Sequence, residues 1–256
     1  MQQAGDFDLV AQHLIPGYAS LARLGVALLA SSPRASRPGA RVLVAGCGTG
    51  AELVEARAQR PDWQVTALDP SATMLVAARA RLGPAPAEAI QWRQARVEDL
   101  EGNERFAGAL SVLVLQSLPD DGTKLTFLSA LARSLEPGAQ LLLVDLMAAE
   151  RSPLQAQVQE AWLGFQRASG LGELDDPLAA PTHGLHPIGL SRLTSLLNAA
   201  GFGDPARVFQ ALNVEGVLIH RAARAAAAAT QRSSRSGTPP ASSQPVISVT
   251  RPSMPL

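Results

Sequence analysis

Residues 42–50 read Val-Leu-Val-Ala-Gly-Cys-Gly-Thr-Gly, and they set the expected architecture of the chain. The short run of Val, Leu and Ala is typical of a buried parallel strand. The glycines after it let the backbone turn sharply and lie against a ligand, because no side chain stands in the way. Residues 51–57 then follow a helical pattern, whose N–H groups and positive dipole end would face the loop. The stretch therefore predicts a strand, a turn and a helix around a ligand.

A carboxylate stands where such a ligand would need it. Residues 64–69 read Gln-Val-Thr-Ala-Leu-Asp, which predicts a second strand that ends at Asp69. In doubly wound α/β sheets the acid at this place binds the hydroxyl groups of a ribose. The two strands together predict a nucleoside-binding site.

The glycine spacing narrows the choice of nucleoside. A dinucleotide fingerprint, Gly-x-Gly-x-x-Gly, would require glycine at Ala51 or at Leu53, so NAD and FAD are disfavoured. A P-loop would require Gly-Lys-Ser or Gly-Lys-Thr after the glycines, and neither follows. The Gly-x-Gly-x-Gly pattern at Gly46, Gly48 and Gly50 resembles the first motif of class I S-adenosylmethionine (SAM) dependent methyltransferases. The alternative is a strand-to-helix turn that is rich in glycine and holds no ligand.

Two further motifs resemble the same family in the expected order. Residues 69–75 resemble its second motif, an acid at a strand end followed by a helix with a serine cap. Residues 135–139, Leu-Glu-Pro-Gly-Ala, resemble its Leu-Lys-Pro-Gly-Gly motif and precede an apolar strand at residues 140–145. Residues 110–115 form an uninterrupted apolar run, which predicts a central strand.

The resemblance implies SAM as the cofactor and an α/β fold. The expected fold is a doubly wound, seven-stranded, mostly parallel Rossmann-like sheet with helices on both faces and a terminal antiparallel hairpin. Three segments are expected: an N-terminal helical segment at 1–38, a SAM-binding domain at 39–221, and an Ala/Ser/Pro-rich tail at 222–256. We expect the tail to be disordered, because it offers little apolar surface to offset the entropy of ordering. Substrate choice is expected in a lid-like insertion at about 148–200.

A narrower resemblance covers most of the chain. Pro16-Gly17-Tyr18 and residues 114–119, 164–170 and 200–202 resemble a group of bacterial methyltransferases. That group is similar to the enzyme that uses a SAM derivative to carboxymethylate a wobble uridine of tRNA. Its tyrosine after Pro-Gly lies near the methionine end of the cofactor, which implies Tyr18 as a cofactor contact. The alternative is a tyrosine that packs its helix on the sheet.

Two positions depart from the family pattern. Val44 stands where the family has an acid two residues before the first glycine. Arg96-Val97 stands where the family has Asp-Ala or Asp-Ile, whose carboxylate accepts a hydrogen bond from adenine. A guanidinium cannot accept that bond, so we expect the backbone N–H of Val97, helped by Glu98 or Asp99, to read the adenine. Because the two acidic side chains of the family pattern are absent, a second hypothesis stays open, a degenerate SAM-binding protein without turnover.

The cofactor site implied by the resemblance has nine members. They are Tyr18, Gly46, Cys47, Gly48, Gly50, Asp69, Pro70, Arg96 and Val97. No catalytic residue is assigned. Asp145 at a strand end and His186 in the lid-like region are the candidates for a general base, which methyl transfer needs only when the nucleophile carries a proton.

Composition limits the partners. The 22 basic and 22 acidic residues leave no net charge, so no global field attracts nucleic acid or a membrane. The single cysteine excludes an internal disulfide and fits a reducing cytoplasm. The four histidines lack zinc-ligand spacing, so no metal is expected. We expect a small-molecule or tRNA acceptor, no DNA and no membrane partner, and leave a homodimer open.

Overall fold

Seven strands form one mixed sheet in the computed structural model, which describes residues 10–149, 152–170 and 184–222. The strands are β1 Arg41–Ala45, β2 Gln64–Leu68, β3 Ile90–Arg93, β4 Phe106–Val112, β5 Leu135–Leu146, β6 Ala206–Ala211 and β7 Val214–His220. Their order across the sheet is β3-β2-β1-β4-β5-β7-β6. The first five are parallel, whereas β7 pairs antiparallel with both β5 and β6. The predicted α/β sheet with a terminal antiparallel hairpin is confirmed.

The strand order creates a crevice at one edge of the sheet. From β1 the chain moves outward to β2 and β3, and it then returns to the other side of β1 as β4. Connections on the two sides of β1 therefore leave in opposite directions. In open α/β sheets ligands bind at this switch point, outside the carboxyl ends of the strands. The glycine loop follows β1 directly and so lies at that edge.

Helices cover both faces of the sheet, as the sequence predicts. They are α1 Tyr18–Ala30, α2 Ala51–Gln59, α3 Ala72–Leu82, α4 Pro84–Glu88, α5 Thr123–Ser134, α6 Gln155–Ala168 and α7 Leu190–Ala200. Apolar residues of α1, α2 and α3 pack with one face of the strands. Those of α5 and α7 pack with the other face. Because both faces are buried, the central strands consist of nearly continuous apolar runs.

Local sequence chemistry explains two of the helix ends. The hydroxyl of Ser71 accepts a hydrogen bond from the N–H of Met74 at 3.3 Å and caps α3. At the other end of the chain, α7 stops at Gly201, which has φ of +97° and supplies the left-handed cap common at helix C-termini. The serine cap agrees with the sequence-based expectation.

The strand predicted at residues 110–115 is displaced. β4 begins four residues earlier, at Phe106, and ends at Val112. Leu113 then adopts φ of +56°, and the chain leaves the sheet. Leu115 is buried in a short 3₁₀ turn rather than in a strand. An apolar run shows that a segment is buried, but it does not show which backbone conformation buries it.

β5 also differs from its expected start. The strand begins at Leu135 rather than at residue 140, because Leu135 pairs with Phe106 across a local irregularity in the ladder. Residues 171–183, in the middle of the expected lid-like insertion, lie outside the described residues, as do residues 223–256 of the expected tail. The proposed division into three segments stays a prediction.

Candidate active site

The glycine loop between β1 and α2 is closed by backbone hydrogen bonds. The N–H groups of Gly46 and Cys47 donate to the carbonyl oxygen of Leu68, at 2.8 and 3.0 Å. The N–H of Gly50 donates to the carbonyl oxygen of Cys47 at 2.8 Å. The loop is therefore tied to the end of β2 and has a defined shape without help from a ligand.

Glycine is needed in this loop for two different reasons. Gly46, Gly48 and Gly50 have φ of +74°, +49° and +86°, a region that other residues rarely adopt. At Gly46 a Cβ atom would also lie 2.3 Å from Cγ2 of Val114, so packing excludes a side chain there. At Gly48 a Cβ would meet nothing within 4 Å. The space over Gly48 is open, as the cradle of a ligand requires.

Asp69 lies directly after β2 with its carboxylate turned toward the glycine loop. Its Oδ2 accepts from the N–H of Gly48 at 2.9 Å, and its Oδ1 accepts from the N–H of Ser71 at 2.8 Å. A carboxylate has about four acceptor positions, so each oxygen keeps one for a further donor. The side chain is thus oriented by the loop and can still accept hydrogen bonds from a diol.

The segment after β3 supplies a backbone donor. Arg96 is exposed, and its N–H donates to Oδ2 of Asp99 at 2.9 Å. The side chain of Val97 is buried, and no hydrogen bond within the described part of the chain uses its N–H. The donor expected to read adenine is therefore free for a ligand. Asp99, one of two expected substitutes for the missing acceptor, already bonds the backbone of Arg96.

Tyr18 and Pro70 lie at the margins of the site. Tyr18 is the first residue of α1 and is half-buried. It lines a cavity of about 110 Å³ together with Ala51 and Glu52 at the start of α2. Pro70 is exposed beside Asp69, and its carbonyl oxygen accepts from the side-chain amide of Gln94 at 3.4 Å. The structure brings Tyr18 to the helix that follows the glycine loop, and its role as a cofactor contact stays a prediction.

Cys47 is a buried loop residue and not a nucleophile. Burial, with smaller contributions from the carboxylates of Asp69 and Glu52, raises the pKa of its thiol to about 12. Since the thiolate is the reactive form, the side chain is inert near neutral pH.

The structure assigns the role of general base to neither of the two candidates, Asp145 and His186. Asp145 is only 3% exposed, and its oxygens accept from the N–H groups of Leu115 at 3.3 Å and Gln116 at 2.9 Å. His186 is exposed, and its backbone N–H donates to the carbonyl oxygen of Gln116 at 2.6 Å. The structure brings both residues to Gln116, but through structural hydrogen bonds.

Sequence reasoning overlooked Lys124. This side chain is fully buried in α5, and its Nζ donates to the carbonyl oxygen of Leu115. A signal was present, because Lys124 falls at helical spacing with the buried Phe127, Leu128 and Leu131. A charge on the apolar stripe of a helix indicates a buried partner.

Two negative findings apply to the described residues. Residues 10–149, 152–170 and 184–222 contain no group of three or more His, Cys, Asp and Glu side chains placed to hold a metal ion. Within those same ranges, every helix is too short or too polar to cross a membrane.

Comparison with known proteins identifies the domain that contains this site. Residues 42–138 match a family described as a methyltransferase domain. The matched region starts in β1 and includes the glycine loop, Asp69 and Val97. The chain carries a methyltransferase domain.

Relatives and solved structures extend the likeness beyond the matched region. The carboxy-S-adenosyl-L-methionine synthase of Shewanella amazonensis is 28% identical over 223 residues, which cover 84% of this chain and 88% of the relative. That of Shewanella loihica is 25% identical over 220 residues, again 84% and 88% of the two chains. In fold, the chain resembles magnesium protoporphyrin IX methyltransferase from Synechocystis PCC 6803, with a TM-score of 0.59, 17% identity, and coverage of 83% of this chain and 87% of that one.

These comparisons test the predicted domain and the predicted fold. The match at residues 42–138 confirms the predicted SAM-dependent methyltransferase domain, and the order of the strands confirms the predicted Rossmann-like sheet. Val44, which replaces the family's acid, is buried within β1 and contributes to the core instead. The roles of the individual residues in the cofactor site, and the identity of the acceptor, stay predictions.

Proposed function

We propose that the protein binds SAM in the crevice after β1 and transfers its methyl group to a small-molecule acceptor. The observation that supports this most directly is the pairing of Asp69 with the open space over Gly48. The carboxylate is already oriented by two backbone N–H groups and keeps capacity for a ribose. On the adenine side, the unused N–H of Val97 supplies a donor. The residues present therefore fit the cofactor despite the loss of two family anchors.

The chemistry demands little from the side chains. Bound SAM supplies a methyl group that is already electrophilic, because it is attached to a sulfonium. The protein then has to hold the acceptor in line and exclude water, and orientation alone can supply several kcal/mol of the barrier reduction, on the order of 7–11 kcal/mol in the best cases. This explains how the domain can function without a general base in the described part of the chain.

A cavity at the same edge of the sheet favours a small acceptor over tRNA. It has a volume of about 650 Å³ and opens between the end of β5, α6 and the β6–β7 hairpin. Volumes of this size are typical of small-molecule pockets. Its lining combines the apolar side chains of Met147 and Trp162 with the amides of Gln155, Gln159 and Gln210. The absence of net charge also offers no general attraction for RNA.

Titration calorimetry tests the cofactor half of the proposal. The full chain is titrated with SAM, S-adenosylhomocysteine and NAD. We expect the first two to bind and NAD not to bind. Binding of NAD alone would overturn the assignment in favour of an oxidoreductase.

Turnover separates the enzyme from a degenerate binding protein. The chain is incubated with isotopically labelled SAM and a mixture of small-molecule metabolites, and in parallel with tRNA, and labelled products are identified by mass spectrometry. A labelled small molecule supports the proposal, and Trp162→Ala, at the wall of the cavity, should lower its formation. Label in tRNA would overturn the choice of acceptor. Tight binding without any labelled product would favour the regulatory alternative.

Carboxy-SAM is a second candidate ligand. The relatives named carboxy-S-adenosyl-L-methionine synthase cover most of this chain, which favours a shared cofactor chemistry. Arg96 follows β3, on the side of the crevice proposed for adenine, so we do not expect it to hold a carboxyl group on the sulfonium. Titration with carboxy-SAM and SAM side by side decides this point. Tighter binding of carboxy-SAM would favour the synthase-like function.

A further inference from the structure

The segment that follows β4, residues 113–118, rests on a buried carboxylate. Both oxygens of Asp145 point at this post-β4 segment, where they accept the N–H groups of Leu115 and Gln116. Lys124 reaches the same place from α5 and donates to the carbonyl oxygen of Leu115. Backbone donors and acceptors that are buried need such partners, and here two ionisable side chains supply them.

Gln116 links the post-β4 segment to two other parts of the chain. Its side-chain oxygen accepts from the N–H of Leu146 at 2.8 Å, which ties the post-β4 segment to the end of β5. Its carbonyl oxygen accepts from the N–H of His186, which ties the segment to the chain that leads into α7. One short segment thus joins the ends of β4 and β5 to a part of the expected acceptor region.

Val114 of the same segment contacts the cofactor loop. Its side chain packs so closely on Gly46 that a Cβ there would lie 2.3 Å from Val114 Cγ2. Leu113, just before it, is held at φ of +56°, a conformation that persists in a leucine only when its surroundings enforce it. The hydrogen bonds to Asp145 begin at the next residue, Leu115. The first residue that the carboxylate holds is therefore adjacent to Val114, whose side chain contacts the glycine loop.

Burial leaves the ionised form of Asp145 poorly stabilised. Burial raises the pKa of this carboxyl to about 7, although the two N–H groups and Lys124 oppose the rise. Burial also lowers the pKa of Lys124. Other ionisable groups lie on the neighbouring elements. Glu215 is opposite Asp145 on β7 and is ion-paired with Arg207 of β6, Asp120 is ion-paired with Arg192 of α7, and His186 bonds Gln116 through its backbone.

We propose that Asp145 is a positioning residue for methyl transfer, whose ionised carboxylate holds the post-β4 segment so that Val114 packs on Gly46 and keeps the cofactor loop in its binding shape. Protonation removes one acceptor position and places a donor against two backbone N–H groups, which loosens the segment. The proposal rests on the proposed function, because it assigns the glycine loop to SAM. It replaces the hypothesis that Asp145 acts as a general base.

Stability and binding should then respond to pH in opposite directions. A carboxyl whose pKa is raised in the folded state stabilises the fold below its ordinary value of 3.8 and loses that contribution as pH rises toward 7. Binding follows the ionised form and should strengthen over the upper part of that range. A residue with a purely structural role would move melting temperature and affinity together.

Calorimetry with S-adenosylhomocysteine at pH 6 and pH 8 tests the proposal on the full chain. We expect the wild type to bind several-fold more tightly at pH 8, and Asp145→Asn to bind several-fold more weakly than the wild type at pH 8 with little dependence on pH. Asp121→Asn is the matched control, because Asp121 also accepts a backbone N–H but is exposed at the start of α5. It should behave as the wild type. Wild-type affinity or wild-type pH dependence in Asp145→Asn would overturn the proposal.

Two further measurements keep the proposal testable if Asp145→Asn is unstable or if S-adenosylhomocysteine does not bind. Lys124→Met removes the nearby positive charge and should shift the pH midpoint of binding upward. Amide hydrogen exchange needs no ligand: lowering the pH from 8 to 6 should reduce the protection of Leu115, Gln116 and Gly48, after correction for intrinsic rates. Unchanged protection at Gly48 would refute the link to the loop. Absence of binding in the wild type would instead refute the proposed function.

Discussion

Removal of the Asp69 carboxylate should weaken SAM binding by a magnitude that the structure allows us to bound. The side chain is oriented by the N–H groups of Gly48 and Ser71, at 2.9 and 2.8 Å, and keeps acceptor positions for a ribose. A hydrogen bond to a charged group contributes about 1.5–3 kcal/mol. Loss of one such bond corresponds to roughly a tenfold to hundredfold weaker Kd, and loss of a bond from each hydroxyl to more.

The assay must separate the ribose contact from damage to the loop, since Asp69→Ala also leaves the N–H of Gly48 without its partner. We propose calorimetry with S-adenosylhomocysteine and its 2′,3′-dideoxy analogue against the wild type and the variant. The wild type should bind the dideoxy analogue much more weakly, whereas Asp69→Ala should bind both ligands with similar, low affinity. Such a cycle isolates the interaction between the two deleted groups.

A matched control is available at the opposite edge of the sheet. Asp62 also accepts a backbone N–H, that of Gly39 at 3.1 Å, but it lies before β2 and far from the crevice. Asp62→Ala should leave both affinities unchanged. If Asp69→Ala discriminated between the two ligands as strongly as the wild type does, Asp69 would not contact the ribose and the reasoning would be refuted.

Two substitutions test the remaining parts of the cofactor site. Gly46→Ala should lower the melting temperature by more than Gly48→Ala, because both positions need positive φ but only Gly46 faces Val114. Gly48→Ala should mainly weaken SAM binding. Thermal unfolding and calorimetry check this, and a larger loss of melting temperature in Gly48→Ala would contradict it. Arg96→Asp should tighten SAM binding several-fold by restoring an acceptor for the adenine amino group, since a hydrogen bond of about 0.5–1.5 kcal/mol changes Kd measurably. Weaker binding in that variant, with Arg96→Gln as the control, would make the arginine itself part of the site.

Local patterns were enough to predict the framework of this protein. The run at residues 42–50 and the acid at Asp69 specify a strand, a glycine turn and a second strand, and each depends on residues adjacent in the chain. The same holds for the serine cap of α3 and the hairpin of β6 and β7. Hydrophobic period and turn chemistry act over a few residues, so a sequence displays them directly.

Only the tertiary structure decided the contacts at the ends of β4 and β5. Residues 113–115 look like the continuation of a strand, yet the chain leaves the sheet there. Asp145, 30 residues after Leu115, accepts the N–H groups of Leu115 and Gln116. Gln116 donates its N–H to the same carboxylate from a short turn, and Lys124 reaches the carbonyl oxygen of Leu115 from a helix. No local signal encodes such a meeting, because parallel strands bring their carboxyl ends together only after long crossover connections have folded. The sequence determines which groups are available, and the packing of the sheet determines which of them share one buried site.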